Sequence, residues 1–162
     1  MAVIVWIVEG IWSAAIDAAR TRTPQDADIV LLHITDPDTA DAAHGAYAGL
    51  LGRQRPERDP GTRMKNLAAT SAEQLLRAAA DRLGRPCTQI QRVGRPEEHV
   101  LAAAEGADLL IVTRDGDRSH LGPKSLTPPS RFVLDHAPCP ILLLWPEPAP
   151  DRRRGPVDLP PG

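Results

Sequence analysis

Residues Ala107 to Trp145 read ADLLIVTRDGDRSHLGPKSLTPPSRFVLDHAPCPILLLW and carry the strongest structural signal in the chain. The apolar run Asp108 to Thr113 predicts a buried strand, and Ile141 to Trp145 predicts a second one. Between them, a loop from Arg114 to Leu126 and a helix from Thr127 to Ala137 are predicted. Loops that join a buried strand to a helix start are where α/β proteins hold anionic ligands. This segment therefore predicts a parallel α/β unit with a candidate ligand loop.

The alternation of strands and helices extends back to the N terminus. Apolar runs predict strands at Ala2 to Val8 and Asp28 to Ile34, and a more polar run at Cys87 to Val93 is typical of a sheet edge. Because strands and helices alternate, the strands are expected to be parallel and joined by right-handed crossovers in a single three-layer α/β domain. The predicted helices run from Trp12 to about Thr21, from Lys65 to Leu83, and from Pro96 to the residue before Gly106.

The chain divides into one domain, residues 1–145, and a tail, residues 146–162. Within the domain, residues 38–64 form a variable segment. Its first part, Ala40 to Leu51, is compatible with a short helix, whereas Gly52 to Arg63 contains two prolines and four arginines and is predicted to be an exposed loop. The tail is rich in proline and arginine, a composition that predicts disorder.

Composition excludes several classes of function. The 162 residues are 42% hydrophobic and 25% charged, which is typical of one globular domain. The formal net charge of -2 provides no field that would attract nucleic acid or acidic membranes. No apolar run approaches the ~20 residues of a membrane span, and the apolar N terminus is predicted to be a strand rather than a signal peptide. These features predict a cytoplasmic protein with no nucleic-acid or membrane partner.

Four segments, taken together in their order and spacing, resemble the universal stress protein family. Val3 to Gly10 resembles the family's first strand, which ends in Asp-Gly-Ser. Ile29 to Pro37 resembles its second strand, Leu-Leu-His-Val-x-Asp-Pro, and Gly94 to Thr113 resembles its Gly-x-Pro helix and fourth strand. Val133 to Leu144 resembles its closing stretch.

The resemblance implies a Rossmann-like, open five-stranded parallel sheet of order 3-2-1-4-5. It also implies a homodimer, often formed through the last strand. In that order Ile141 to Trp145 lies at an edge, and a long apolar edge is an aggregation hazard unless it is covered. We expect dimerisation to cover it, the alternative being that the C-terminal tail folds back over it. Cys87 and Cys139 then lie near opposite edges, too far apart for an intramolecular disulfide.

The implied strand order places a switch point between strands 1 and 4, where ligands bind in such sheets. In ATP-binding members of the family, an Asp ends strand 1 and a backbone group near the end of strand 2 holds the base. After strand 4, these members have Gly-x-x-Gly, nine residues, then Gly-Ser/Thr, and the next helix's N terminus takes phosphate. Transferred to this chain, the candidate nucleotide-binding residues are Glu9, Gly10, Ile34, Thr113, Gly116, Leu126 and Thr127.

Several of these positions depart from the family pattern. Glu9 stands where the Asp is expected, and Thr113 and Leu126 stand where the first and third glycines are expected. The spacing also indicates a one-residue insertion in the loop. Gly10 matches the family's Asp-Gly-Ser, but in the loop after strand 4 only Gly116 and Thr127 keep the family's residue types. The resemblance therefore predicts a degenerate nucleotide site, at which ATP or AMP binds weakly if at all.

The start of the predicted helix also departs from what a phosphate site requires. Thr127 is predicted to be its N-cap and Pro128 its first residue. However, Pro128 and Pro129 have no N–H, so two donors that a phosphate would use are absent. The cations expected to compensate are Arg114, Arg118 and Lys124.

Catalytic and metal sites are not predicted. No Ser/His/Asp or paired-carboxylate arrangement can be proposed from spacing. Asp115, Asp117 and His120 could together meet a divalent ion, but a solvated loop is the favoured interpretation. Three hypotheses follow: a non-enzymatic stress-response dimer that binds a partner or senses a nucleotide weakly, a true ATP binder with or without slow hydrolysis, and an adenylating enzyme of the wider nucleotide-binding α/β group.

Overall fold

The protein is described by a computed structural model that covers residues 1–37 and 60–151. The predictions for Ala40 to Leu51, for the loop up to residue 59 and for tail residues 152–162 lie outside the described residues. Within the described ranges, five strands form one parallel sheet of order β3-β2-β1-β4-β5. The strands are β1 (Ala2–Trp6), β2 (Asp28–Thr35), β3 (Thr88–Val93), β4 (Leu109–Thr113) and β5 (Ile141–Leu144).

Helices on both faces of the sheet complete the three layers. The predicted α/β class, the parallel pairing and the strand order are thereby confirmed. A short 3-10 turn precedes the last helix. The helices are α1 (Trp12–Arg22), α2 (Pro60–Leu83), α3 (Pro96–Ala104) and α4 (Pro128–His136), and the 3-10 turn is Pro123–Ser125.

Alternate residues of the central strands fill two separate cores. Val3 and Val5 of β1 pack in the core beneath α1 and α2, whereas Ile4 and Trp6 pack in the core beneath α3 and α4. All four side chains are 6% exposed or less. Because β1 lies in the middle of the sheet and is covered on both faces, it has to be apolar at every position.

The start of α2 corrects the predicted loop. The helix begins at Pro60 rather than near Lys65, so Pro60 to Arg63 are helical. Proline at the first helical position loses no hydrogen bond, because that N–H has no partner within a helix. The proline counted as a loop signal is in fact a helix start.

The two sheet edges differ as predicted. At one edge, β3 is largely exposed, whereas each residue of β5 at the other edge is half-buried. Cys87 packs against the core beneath α1 and α2, and Cys139 packs against the opposite core. Both thiols are free.

Candidate functional site

The loop after β1 lies at the carboxyl end of the central strands. Glu9 is exposed, and Gly10 has a positive φ of 83°, a conformation that glycine adopts without strain. Glu9 borders a depression of about 300 Å³, together with His33 and Thr35 of β2 and residues of α2. The His33 ring is held there by a 2.8 Å hydrogen bond between its Nδ1 and the carbonyl oxygen of Ile7. Because β1 ends at Trp6 rather than at the predicted Val8, the predicted acidic residue is accessible in the turn three residues after the strand.

Two predicted site residues are buried in the fold. Ile34 is 7% exposed and packs in the core beneath α3 and α4, so only its backbone is available at the end of β2. Thr113, which replaces the first glycine, is 3% exposed. Its hydroxyl is buried and has no hydrogen-bond partner among the described residues. Among the described residues, neither side chain lines the depression beside Glu9 or the groove that contains Gly116 and Thr127.

Gly116 closes the loop after β4 on itself. Its N–H donates to the carbonyl of Ser125 at 2.9 Å, and the N–H of Asp117 donates to the carbonyl of Lys124 at 2.8 Å. A Cβ atom at Gly116 would lie 2.3 Å from the Lys124 carbonyl oxygen. The glycine is therefore needed for the close approach of two backbone segments within the loop.

A carboxylate of the chain itself occupies the N terminus of α4. Oδ1 of Asp115 accepts a 3.0 Å hydrogen bond from the Thr127 N–H. Oδ2 of Asp115 accepts from the Thr127 hydroxyl at 2.8 Å and from the Ser130 hydroxyl at 2.7 Å. The positive end of a helix favours a negative group at this position, and charge-assisted hydrogen bonds are the stronger kind.

This arrangement corrects the predicted role of Thr127. The residue is the N-cap of α4 by its backbone, but its side chain makes no capping hydrogen bond. Instead, Asp115 supplies the acceptor from twelve positions earlier in the chain. The sequence contains no local signal for this contact, because capping patterns relate residues only three positions apart. Of the backbone groups at 127–129, only Thr127 has an N–H, since the next two residues are prolines.

Two of the three cations expected to attract phosphate are held by other groups. Nη1 of Arg114 donates to the Ser125 hydroxyl at 2.6 Å, and its guanidinium lies over the ring of Trp145. Arg118 pairs with Glu147 at 2.7 Å. Lys124 is exposed, which leaves this side chain at the rim of the loop.

The three residues considered for a divalent ion are directed to different partners. Asp115 faces α4, as described above, whereas Asp117 accepts from the N–H and the hydroxyl of Ser119. The hydrogen bonds from Ser119 hold the pKa of the Asp117 carboxyl below its ordinary value. His120 Nδ1 contacts the Ser119 hydroxyl at 2.9 Å. No group of three metal-ligating side chains occurs within residues 1–37 and 60–151.

Four of the seven predicted site residues line two separate depressions among the described residues. Gly116, Leu126 and Thr127 line a groove of about 550 Å³ along the outer face of α4. Glu9 borders the smaller depression beside α2. The groove along α4 is completed by Lys124, Pro128, Arg131, Phe132 and Asp135.

Known structures with the same fold include nucleotide complexes. A hypothetical protein whose biochemical function was assigned from its structure aligns with a TM-score of 0.62 at 18% identity, over 89% of this chain and 94% of that one. A universal stress protein in complex with cAMP aligns with a TM-score of 0.56 at 18% identity, over 91% and 98%. A universal stress protein family protein from Arabidopsis thaliana with AMP bound aligns with a TM-score of 0.55 at 20% identity, over 98% and 97%.

Sequence comparison assigns the family. No curated protein matches this chain. In the part of the chain that the structure describes, no helix is long and apolar enough to cross a membrane. The model of the universal stress protein family matches residues 13–144, which is most of the chain. With this match and the shared sheet order, the chain belongs to the universal stress protein family.

Proposed function

We propose that this chain is a non-enzymatic stress-response protein with a degenerate nucleotide site, which acts as a homodimer that binds a protein partner. The observation that carries the proposal is the Asp115 carboxylate at the N terminus of α4. Relatives bind AMP or cAMP, and a phosphate at a helix N terminus needs free N–H donors. Here the Thr127 N–H is already donated, and the two prolines that follow have none to donate.

A titration with ATP and Mg²⁺ tests the degenerate site. We expect no rise in melting temperature up to millimolar nucleotide. A ligand at 100 times its Kd would stabilise the fold by about 2.7 kcal/mol, which for a domain of this size is a rise of roughly 5–10 °C. The AMP-bound Arabidopsis relative, titrated with AMP, is the positive control for the assay. A saturable rise of several degrees in this chain would refute the proposal.

A second candidate function, ATP binding with slow hydrolysis, is favoured by Glu9. This carboxylate is exposed in the turn after β1, beside a depression large enough for small polar groups. In this case Glu9→Gln would weaken ATP binding, whereas Glu73→Gln, an exposed change on α2, would not. Measuring phosphate release from the wild type and from both variants separates the two candidates.

The proposed homodimer rests on the edge strand β5. Its four residues are apolar and half-buried in the single chain. The carbonyl of Pro140 accepts a hydrogen bond from Leu110 of β4, and that of Leu144 accepts one from Arg114, the residue after β4. Because successive residues of a strand direct their backbone groups to opposite sides, the N–H of Leu143 points to the open edge. Pairing of two β5 strands would satisfy these edge groups and cover the apolar edge.

A proline at this outward position tests the dimer. Leu143→Pro removes one edge N–H without removing a bond to β4, and we expect it to lower the dimer fraction in sedimentation equilibrium. Leu143→Val keeps the N–H and is the matched control for the loss of side-chain volume. A wild-type chain that sediments as a monomer at tens of micromolar would refute the dimer.

A further inference from the structure

Three donors converge on one point in front of α4. They are the N–H of Thr127, the hydroxyl of Thr127 and the hydroxyl of Ser130. Ser130 is 1% exposed. Among the described residues, its hydroxyl contacts Asp115 and, at a longer 3.4 Å, the Thr127 hydroxyl. Without Asp115, a buried hydroxyl and a helix N–H would both face an unfilled position. Buried polar groups in that state are costly, so this position requires an acceptor.

The acceptor that the position requires is an oxyanion. Both oxygens of Asp115 are used, and one of them accepts two hydrogen bonds. A phosphate presents the same chemistry to a helix N terminus, namely negatively charged oxygens that accept from N–H and O–H groups. A carboxylate that is part of the chain has a high effective concentration, in the millimolar range for short flexible connections, and competes with free anions at all times.

We propose that Asp115 is a tethered anion that fills the oxyanion position at the N terminus of α4 and thereby excludes phosphate-bearing ligands from this end of the helix. The inference rests on the proposed function, since it names the residue that makes the nucleotide site degenerate. It also names the class of ligand that is excluded. While Asp115 is in place, the N terminus of α4 rejects phosphate groups, because the carboxylate occupies the position and repels their negative charge. Asp115 is therefore a specificity-determining residue rather than a catalytic one.

Chemical rescue of Asp115→Ala tests the proposal. In a chloride buffer, this variant of the full chain should melt below the wild type, because three donors lose their acceptor. Adding about 10 mM inorganic phosphate should then raise its melting temperature by about 3 °C, because the anion binds the folded state alone. Sodium chloride of equal ionic strength should not. The wild type should show no phosphate-dependent rise.

Two further variants make the result decisive. Asp117→Ala removes a carboxylate from the same loop that is bonded to Ser119 and not to α4, and it should show no rescue by phosphate. Asp115→Ser keeps one hydroxyl acceptor and is expected to fold even if Asp115→Ala does not; it should also melt higher with phosphate. The proposal is overturned if neither Asp115 variant gains from phosphate over chloride, or if the wild type gains as much as they do.

The rescue and the nucleotide titration can fail separately. If the wild type binds ATP but gains nothing from inorganic phosphate, while the Asp115 variants do gain, the proposed function fails and the role of Asp115 at the N terminus of α4 stands. If the wild type ignores ATP and the variants ignore phosphate, the site is degenerate for another reason, and the assignment to Asp115 fails alone.

Discussion

The guanidinium of Arg114 lies 4.6 Å from the ring centroid of Trp145, so the first residue after β4 stacks on the first residue after β5. Two further contacts hold Arg114 in place: its N–H donates to the carbonyl of Leu144 at 2.9 Å, and Nη1 donates to the Ser125 hydroxyl at 2.6 Å. The side chain thus connects the edge strand to the loop that precedes α4. This contact links the candidate dimer edge to the candidate ligand loop.

A double-mutant cycle should detect the stacking of Arg114 on Trp145. We expect a coupling energy of about 0.5–2 kcal/mol between Arg114→Ala and Trp145→Leu, because a partly desolvated cation–π contact is lost in either variant. The measurement is urea unfolding of the wild type, both single variants and the double variant. Arg118→Ala with Trp145→Leu is the control cycle, since Arg118 pairs with Glu147 instead. Additive effects in the Arg114 cycle would contradict the prediction.

Gly116→Ala should destabilise the fold by about 1–3 kcal/mol, the usual cost of inserting a methyl group into a packed position. The new Cβ would lie 2.3 Å from the Lys124 carbonyl oxygen and 2.8 Å from the Ser125 carbonyl carbon, both of which are backbone atoms. Because backbone cannot rotate away as a side chain can, the loop has to open. Ser119→Ala, in the same loop, is the comparison variant. Equal unfolding free energies for Gly116→Ala and the wild type would show that the loop accommodates the methyl group, which contradicts the prediction.

The ion pair between Asp17 and Arg82 should make part of the stability depend on pH. Arg82 donates to both carboxylate oxygens of Asp17, at 2.9 and 2.8 Å, and thereby joins α1 to α2. The hydrogen bond from Arg82 lowers the pKa of Asp17 from its ordinary value of 3.8. A carboxyl with a lowered pKa in the folded state stabilises the fold above pH 3.8, and this contribution is lost as the pH falls through the lowered pKa.

The expected difference can be measured by melting the wild type and Asp17→Asn between pH 7 and pH 2.5. The wild type should be the more stable protein at pH 7, by a modest amount because both side chains are partly exposed, and the difference should shrink below pH 4. Asp81→Asn controls for the loss of one negative charge next to Arg82. A difference that stays constant down to the lowest pH would count against the lowered pKa.

Both thiols should react slowly in the folded protein. Burial raises the pKa of Cys87, and burial together with the nearby Asp108 carboxylate raises the pKa of Cys139. A raised pKa reduces the thiolate fraction, which is the reactive form, so alkylation by iodoacetamide at pH 8 should be slower than for a small free thiol. Unfolding in guanidinium should abolish the difference.

Oxidation should leave the two cysteines unbridged within one chain. Cys87 precedes the edge strand β3, and Cys139 precedes the opposite edge strand β5. They also pack on opposite faces of the sheet. An intact mass that falls by two hydrogens after mild oxidation of the monomer would contradict this expectation.

Much of the fold could be predicted because strands buried on both faces have to be apolar throughout. The runs around Val5 and Ile111 predicted central strands, and the polar run around Gln91 predicted an edge; all three lie where expected. Helix boundaries were less predictable. Proline marks a loop or a helix start with equal sequence support, and at Pro60 the helix start prevailed because α2 packs its stripe, including Leu76, on the sheet.

In the candidate site, too, the features next to strand ends and helix starts could be predicted, whereas a contact between distant residues could not. Glu9, Gly116 and Thr127 could be named before the structure only through the resemblance to the family, while local apolar patterns specified the strand ends and the helix start beside which they stand. That Asp115 accepts from Thr127 and Ser130 depends on a loop folded back through Gly116, and no periodic pattern encodes such a contact. Local patterns thus set the order of the elements, whereas three-dimensional packing set which group occupies the helix N terminus, because a long-range hydrogen bond forms only after the loop has closed.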